Sequence, residues 1–261
     1  MRLFCVQFDI LWENKPANYA RLRELLATEM LPAGSLVLLP EMFSTGFSMN
    51  VDAVAEGSPS ATSEFLAQTA RELGVFVLGG LVTRRADGRG RNQAVAFSPE
   101  GKEVARYHKM QPFTLGGESQ HYAAGKEIAT FSWQNLVVAP FICYDLRFPE
   151  IFRRAVRQGA QLFAVIANWP TPRIHHWLTL LQARAIENQA YVAGVNRCGT
   201  DPQQTYSGRS LIVSPRGEIL ADADEGERVV SAEVDLAGLL AYRTEFPALQ
   251  DMRHGDDETA Q

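Results

Sequence analysis

Hydrophobic positions along the chain change their period several times. Leu3 to Phe8 is a nearly continuous apolar run of strand length; after a turn at Glu13-Asn14-Lys15-Pro16, Leu22, Leu25, Leu26 and Met30 recur at helical spacing. Ser35 to Leu39 is a short apolar run that stops at Pro40-Glu41. A second helical stretch puts Phe65, Leu66, Thr69, Ala70 and Leu73 on one face and leads into the strand Val75 to Val82. This β-α-β-α-β order predicts parallel strands joined by helical crossovers.

The middle of the chain follows another rule. Gln93 to Ser98 and Glu103 to His108 flank Pro99-Glu100-Gly101-Lys102, and Ile128 to Trp133 and Leu136 to Ile142 flank Gln134-Asn135; both read as hairpins. Alternation then returns: a helix from Pro149 to Gln158, a strand Gln161 to Ala167, a long helix from Arg173 to Gln189 and a strand Ala190 to Asn196. The end is strand-rich, with Arg209 to Val213, a turn at Ser214-Pro215-Arg216-Gly217, Glu218 to Asp222 and Arg228 to Val234. About a dozen strands and four or five helices suit two mixed sheets between helical layers better than one open sheet. One α/β domain is expected over residues 1–250, with 251–261 as a polar tail.

Composition narrows the function. A chain of 261 residues with 46% hydrophobic and 21% charged residues is that of a soluble globular protein, long enough to need no staple. A net charge of −5 argues against a nucleic-acid partner. Cys5, Cys143 and Cys198 are too few and too scattered for a disulfide framework, and no zinc-ligand spacing occurs, so neither metal nor cofactor is expected. Asp9 interrupts the N-terminal apolar run too early for a signal peptide, and no run approaches a membrane span. A cytoplasmic location with no membrane partner is the expectation.

Three reactive residues fall at predicted strand ends: Glu41 after Leu36 to Leu39, Lys109 after the strand that ends at His108, and Cys143 after Val137 to Ile142. Catalytic groups of open α/β sheets gather at carboxyl ends of strands, so residues distant in sequence can converge there. Their chemistry suits amide cleavage. A thiol needs a base or a lowered pKa to attack; a glutamate in an apolar setting can be that base. A lysine ammonium, with a backbone N–H next to the cysteine at Tyr144, can stabilise the oxyanion. Taken singly, each has a plainer reading: an inert buried thiol, a helix-start acid, a solvated lysine. Cys5 and Cys198 keep that plainer reading.

Pro40-Glu41-Met42-Phe43, Tyr107-His108-Lys109-Met110 and the run from Ile142-Cys143-Tyr144-Asp145 to Pro149-Glu150 resemble, in order, the three signatures of the nitrilase superfamily of carbon–nitrogen hydrolases. The resemblance spans Leu3 to Pro247. It implies an α-β-β-α sandwich of two mixed sheets flanked by helices, pairing of two subunits as a homodimer, and Glu41 as base, Lys109 as oxyanion stabiliser and Cys143 as nucleophile. It further implies a second glutamate that orients the triad, for which Glu118 is the match.

Cys143-Tyr144-Asp145-Leu146-Arg147-Phe148 differs from the Cys-Trp-Glu of nitrilases and is similar to the ω-amidase and carbamoylase branches. With Phe43 to Met49, Ala167-Asn168-Trp169-Pro170 and His176-Trp177, it resembles YafV-type bacterial ω-amidases. That resemblance implies a small-molecule amide substrate, 2-oxoglutaramate or 2-oxosuccinamate. The far carboxylate of such a substrate needs a cation. Arg173 and Arg147 are the candidates, although Arg147 reads first as half of a structural ion pair with a neighbouring acid. Phe43, Phe113 and Trp169 are candidate pocket walls, against the plainer reading of aromatics as core. The nearest rival is an N-carbamoyl amino acid hydrolase; rivals of another class are a silent binding protein and a thiol redox sensor.

Overall fold

The computed structural model describes residues 1–57 and 59–252. Helical crossovers appear first. Strand β1 (Arg2–Gln7) leads to α1 (Lys15–Ala27), β2 (Leu36–Leu38), the single turn α2 (Val51–Val54), α3 (Ala61–Leu73) and β3 (Phe76–Arg84). Each helix has local reasons to begin and end. The Asn14 side chain accepts from the Ala17 N–H at 3.2 Å ahead of α1, and Ser60 accepts from the Ser63 N–H at 3.1 Å ahead of α3. Gly74, at φ 64°, closes α3 in a left-handed cap. Met30, expected on the inner face of the first helix, lies beyond α1 and is 92% exposed.

Hairpins follow as β4 (Gly90–Phe97) and β5 (Glu103–His108), then the short α4 (Glu118–His121), β6 (Phe131–Trp133) and β7 (Leu136–Ile142). Alternation resumes with α5 (Pro149–Arg157), β8 (Leu162–Ala167), α6 (Ile174–Asn188) and β9 (Tyr191–Asn196). The chain closes through a small hairpin of β10 (Cys198–Thr200) and β11 (Thr205–Ser207), then β12 (Leu211–Val213), β13 (Ile219–Asp222), β14 (Arg228–Glu233) and α7 (Leu236–Glu245). The sequence reading contained neither the β10–β11 hairpin nor α7. Of the expected tail, residues from 253 onward lie outside the described ones.

The strands form two six-stranded sheets, ordered β14-β1-β2-β3-β4-β5 and β13-β12-β9-β8-β7-β6. Each is parallel at its centre, where β1, β2 and β3, and β7, β8 and β9, lie side by side, and antiparallel toward its edges. The side-chain period of two assigns the faces. Leu3 and Cys5 of β1, with Leu36 and Leu38 of β2, share a core with Val138, Leu162 and Ile166 of the second sheet. The intervening Phe4, Val6 and Val37 pack instead with Leu22, Leu26, Phe65 and Leu66 of α1 and α3. On the far side, Phe152 of α5 and Trp177 and Leu181 of α6 cover the second sheet. A sheet covered on both faces needs nearly continuous apolar strands, and all six residues of β8 are buried. The result is the expected α-β-β-α sandwich.

Candidate active site

Glu41 leaves the carboxyl end of β2, Lys109 follows directly on β5, and Cys143 follows directly on β7. The first two therefore come from one sheet and the third from the other, at the same end of the sandwich. Glu41 arrives through a tight approach: a Cβ on Gly80 of β3 would lie 2.3 Å from the Met42 backbone nitrogen and 2.7 Å from Glu41 Cα. Gly80→Ala is expected to cost about 3 kcal/mol of stability, because backbone cannot yield as a side chain does, and to displace Glu41. A urea midpoint matching wild type would show the approach to be softer than this.

Glu41, Lys109 and Glu118 are fully or almost fully buried and touch one another. Lys109 Nζ lies 2.9 Å from Glu41 Oε1 and 2.8 Å from Glu118 Oε2. Asn92 Nδ2 donates to both carboxylates, at 2.7 Å to Glu41 Oε1 and 2.9 Å to Glu118 Oε1. The Phe113 N–H donates to Glu118 Oε2 at 2.6 Å. Two carboxylates and one ammonium are thus held together out of water, with amide donors supplying what the single cation does not. Burial works against the Lys109 charge, but Glu118, Glu41 and Cys143 together outweigh it and hold the ammonium above the ordinary lysine range.

Asn168, at the end of β8, links this cluster to Cys143. Its N–H donates to Glu41 Oε2 at 2.9 Å and its Nδ2 to the Glu41 carbonyl at 2.7 Å. Its own carbonyl faces Cys143 Sγ at 3.8 Å. Cys143 is partly exposed and sits at φ 48°, in the left-handed region that a non-glycine residue adopts only when its surroundings enforce it. Asp145 does the enforcing: its carboxylate accepts from the Ile142 N–H at 2.9 Å, from the Gln111 N–H at 2.9 Å and from Tyr107 OH at 2.8 Å. It thereby ties the turn that carries Cys143 to the segment that carries Lys109. Burial pushes the Asp145 carboxyl up to about 7, although all three donors favour its charged form. At the turn's far end, Arg184 donates to the Leu146 carbonyl at 2.8 Å while pairing with Glu187 at 2.9 Å. Burial, reinforced by Glu41, holds the Cys143 thiol well above its ordinary range, against the Lys109 ammonium that favours the thiolate.

Cys143 opens into a cavity of about 300 Å³. Phe113, Tyr144, Arg147, Trp169 and Arg173 line it. Phe43 does not: it is fully buried behind the site, tilted against Phe65 and Tyr19, and belongs to the α1–α3 core. Arg147 also departs from expectation. No carboxylate lies within ion-pair distance of it among the described residues; its guanidinium stands 4.7 Å from the Trp169 ring centre and 3.1 Å from His176 Nδ1. Burial, with the Arg173 charge adding to it, holds Arg147 below the ordinary arginine range. Arg173 stands 5.6 Å from the Phe113 ring centre. Sequence reasoning missed the rest of the lining, which includes Trp12 and Glu13 and, from the β10–β11 hairpin, Asp201, Gln203, Gln204 and Tyr206. It also missed Asn92, which carries no sequence signal beyond its place in β4.

Comparison with known proteins finds relatives over nearly the whole chain. The family model described as carbon–nitrogen hydrolase matches residues 2–244. The chain is 39% identical over 255 residues to omega-amidase YafV of Yersinia enterocolitica, covering 96% of each chain. It is 34% identical over 250 residues to 2-oxoglutaramate amidase of Bacillus subtilis, covering 95% of this chain and 96% of that one. Among solved structures it is similar to XC1258 from Xanthomonas campestris, a CN-hydrolase superfamily protein with an arsenic adduct in the active site, at 33% identity, a TM-score of 0.92 and 98% coverage of both chains. Signatures, fold and relatives agree, and the chain belongs to the carbon–nitrogen hydrolase family.

Proposed function

We propose that this enzyme hydrolyses the terminal amide of small 2-oxo dicarboxylic acid monoamides, 2-oxoglutaramate and 2-oxosuccinamate, to the 2-oxo acid and ammonia. The observation that carries the reading is one cavity that Cys143 lines together with two arginines, Arg147 and Arg173, that form no ion pair among the described residues. Relatives that share almost the whole chain and bear ω-amidase names add support.

In this scheme the resting thiol is neutral, since burial, and after it the Glu41 carboxylate, oppose a thiolate. Glu41 takes the thiol proton as sulfur adds to the amide carbon. The oxyanion so formed is met by the Lys109 ammonium and by the Tyr144 N–H, an early N–H of the turn after Cys143 with no partner inside that turn. Glu41 then gives its proton to the departing nitrogen, ammonia leaves, and a thioester remains on Sγ. Water adds to the thioester while Glu41 accepts its proton; the S–C bond breaks, Sγ is reprotonated and the carboxylic acid is released. Glu118 orients Lys109. The reading takes Arg147 and Arg173 as partners of the substrate carboxylate, Phe113 and Trp169 as apolar walls, and it uses no cofactor or metal.

The reading extends to one carbon–nitrogen hydrolase domain over residues 1–250 and to a cytoplasmic homodimer. No helix among the described residues is long and apolar enough to cross a membrane, and Leu240 and Phe246 of the α7 region leave apolar surface uncovered. The decisive assay offers 2-oxoglutaramate beside an N-carbamoyl amino acid and follows ammonia and carbon dioxide. Ammonia from the first without carbon dioxide is expected. Preference for the ureido acid with release of both gases would replace the ω-amidase reading with that of a carbamoylase.

A further inference from the structure

We propose that His176 is a positioning residue that sets specificity for anionic amides, by holding the Arg147 guanidinium without neutralising it. This rests on the reading above that Arg147 meets the substrate carboxylate.

A guanidinium carries only donors and stays charged at any pH the protein survives. The Arg147 Nη2 to His176 Nδ1 contact at 3.1 Å therefore makes Nδ1 the acceptor and puts the imidazole proton on Nε2. This is the hydrogen bond that aims Arg147; its other close neighbours are the faces of Trp169 and Tyr144, at 4.7 Å and 6.0 Å from ring centre to guanidinium carbon. The two rings fix the plane in which the guanidinium lies, and the imidazole fixes its rotation in that plane.

Elsewhere in the chain, some half-buried arginines are held by acids, Arg209 by Asp222 and Arg106 by Glu103 at 2.6 Å, and others by backbone carbonyls, as Arg243 is by those of Gln189 and Ala160. A carboxylate would orient Arg147 as well, but it would also cancel the charge on which an anionic substrate draws. A neutral imidazole separates the two effects. Arg173, on the same cavity, likewise has no carboxylate partner among the described residues, and the two acids of the lining, Glu13 and Asp201, accept instead from the Ser48 and Tyr206 hydroxyls. His176 itself lies on the first turn of α6, outside the cavity lining, where its replacement leaves Cys143, Glu41 and Lys109 untouched.

The test compares wild type with His176→Ala, His176→Asn, His176→Asp and Arg147→Met, on succinamate as the anionic amide and butyramide as the neutral one. His176→Ala is expected to raise KM for succinamate about fivefold, the effect of losing one hydrogen bond of ordinary net strength, with kcat within about twofold of wild type. His176→Asn restores an uncharged acceptor near Nδ1 and should return KM to the wild-type value. His176→Asp restores the acceptor with a charge and should raise KM about tenfold, since it now competes with the substrate for Arg147. None of the His176 variants should change kcat/KM on butyramide.

Equal KM values for the Asn and Asp variants, or an Ala variant like wild type, would overturn the positioning role while Arg147→Met still lost succinamate selectively. If Arg147→Met lost no selectivity, the carboxylate reading would fail, and this inference with it. Calorimetric binding of 2-oxoglutarate in a Cys143→Ala background should give the same ranking without turnover. A ranking that ignores charge at position 176 there would also overturn the inference, independently of which amide the enzyme prefers.

Discussion

Cys143→Ala is expected to lower kcat on every amide by about 10⁴-fold or more, because the substitution deletes the atom that accepts the acyl group and no other cysteine lies at the site. Cys5 is fully buried inside the sandwich and Cys198 stands at the start of the β10–β11 hairpin, so neither can substitute. Stability should change by less than about 1 kcal/mol, since Cys143 is only partly buried and the hydrogen bond its sulfur makes, to the Asn168 carbonyl at 3.8 Å, is a weak one. Alanine must still adopt the left-handed conformation of Cys143, but that strain is shared with wild type and cancels in the comparison. Mass spectrometry should find an acyl adduct on wild type quenched during turnover and none on the variant. Residual turnover within tenfold of wild type would remove Cys143 from the nucleophile's place.

Lys109→Met has the second largest expected effect, and it appears in two observables. The variant leaves Glu41 and Glu118 buried without their shared cation, with Asn92 Nδ2 donating to both. Removing one partner of a buried ionic cluster costs about 3–5 kcal/mol. The kinetic loss should be at least about 10²–10³ in kcat with a smaller change in KM, since the ammonium is assigned to the oxyanion and not to the ground-state amide. The pH dependence has a definite sign. Two unneutralised buried carboxylates bind a proton more readily than they do in the unfolded chain, so the folded variant gains stability as pH falls. The melting deficit relative to wild type should therefore narrow from pH 8 to pH 5.5. A deficit that stays constant over that range, or a KM effect with unchanged kcat, would contradict the assignment.

The sequence conveyed most where periodicity and chemistry coincided. The strands before Glu41 and Cys143 were readable because buried parallel strands are apolar at nearly every position, and a reactive residue then interrupts the run. The antiparallel edge strand before Lys109 was readable instead from the hairpin turn that precedes it. Glu118 was readable only through a family signature, for its burial depends on Lys109 and Asn92, which come from other elements. The structure removed Phe43 from the pocket because an aromatic beside a catalytic acid serves core and cavity equally well in one dimension. Its ring turns toward Phe65 and Leu66 of α3.

Arg147 shows the converse. A neighbouring acid in sequence suggested an ion pair, whereas the fold gives Asp145 to backbone amides and Tyr107, and leaves Arg147 to an imidazole from α6. The β10–β11 hairpin was invisible because Cys198 to Ser207 is short and polar, without the alternation of a half-buried strand. Helix α7 was hidden for a related reason: of its ten residues only Leu239 is buried, too little for a helical period to show.

The position of β1 has a consequence for the order of events during synthesis. It is the second strand of its sheet, parallel to β2 on one side and antiparallel to β14 on the other, with Arg2 opposite Glu233. On the ribosome, β2 and β3 emerge soon after β1 and can dock against it through their helices. The other edge of β1 stays bare until residues 228–233 have left the exit tunnel. A bare edge is a template for wrong pairing, and this one belongs to the sheet that delivers Glu41 and Lys109. Strand β14 thus seals β1 only after every strand between them has been translated, and the nascent chain must guard that edge throughout.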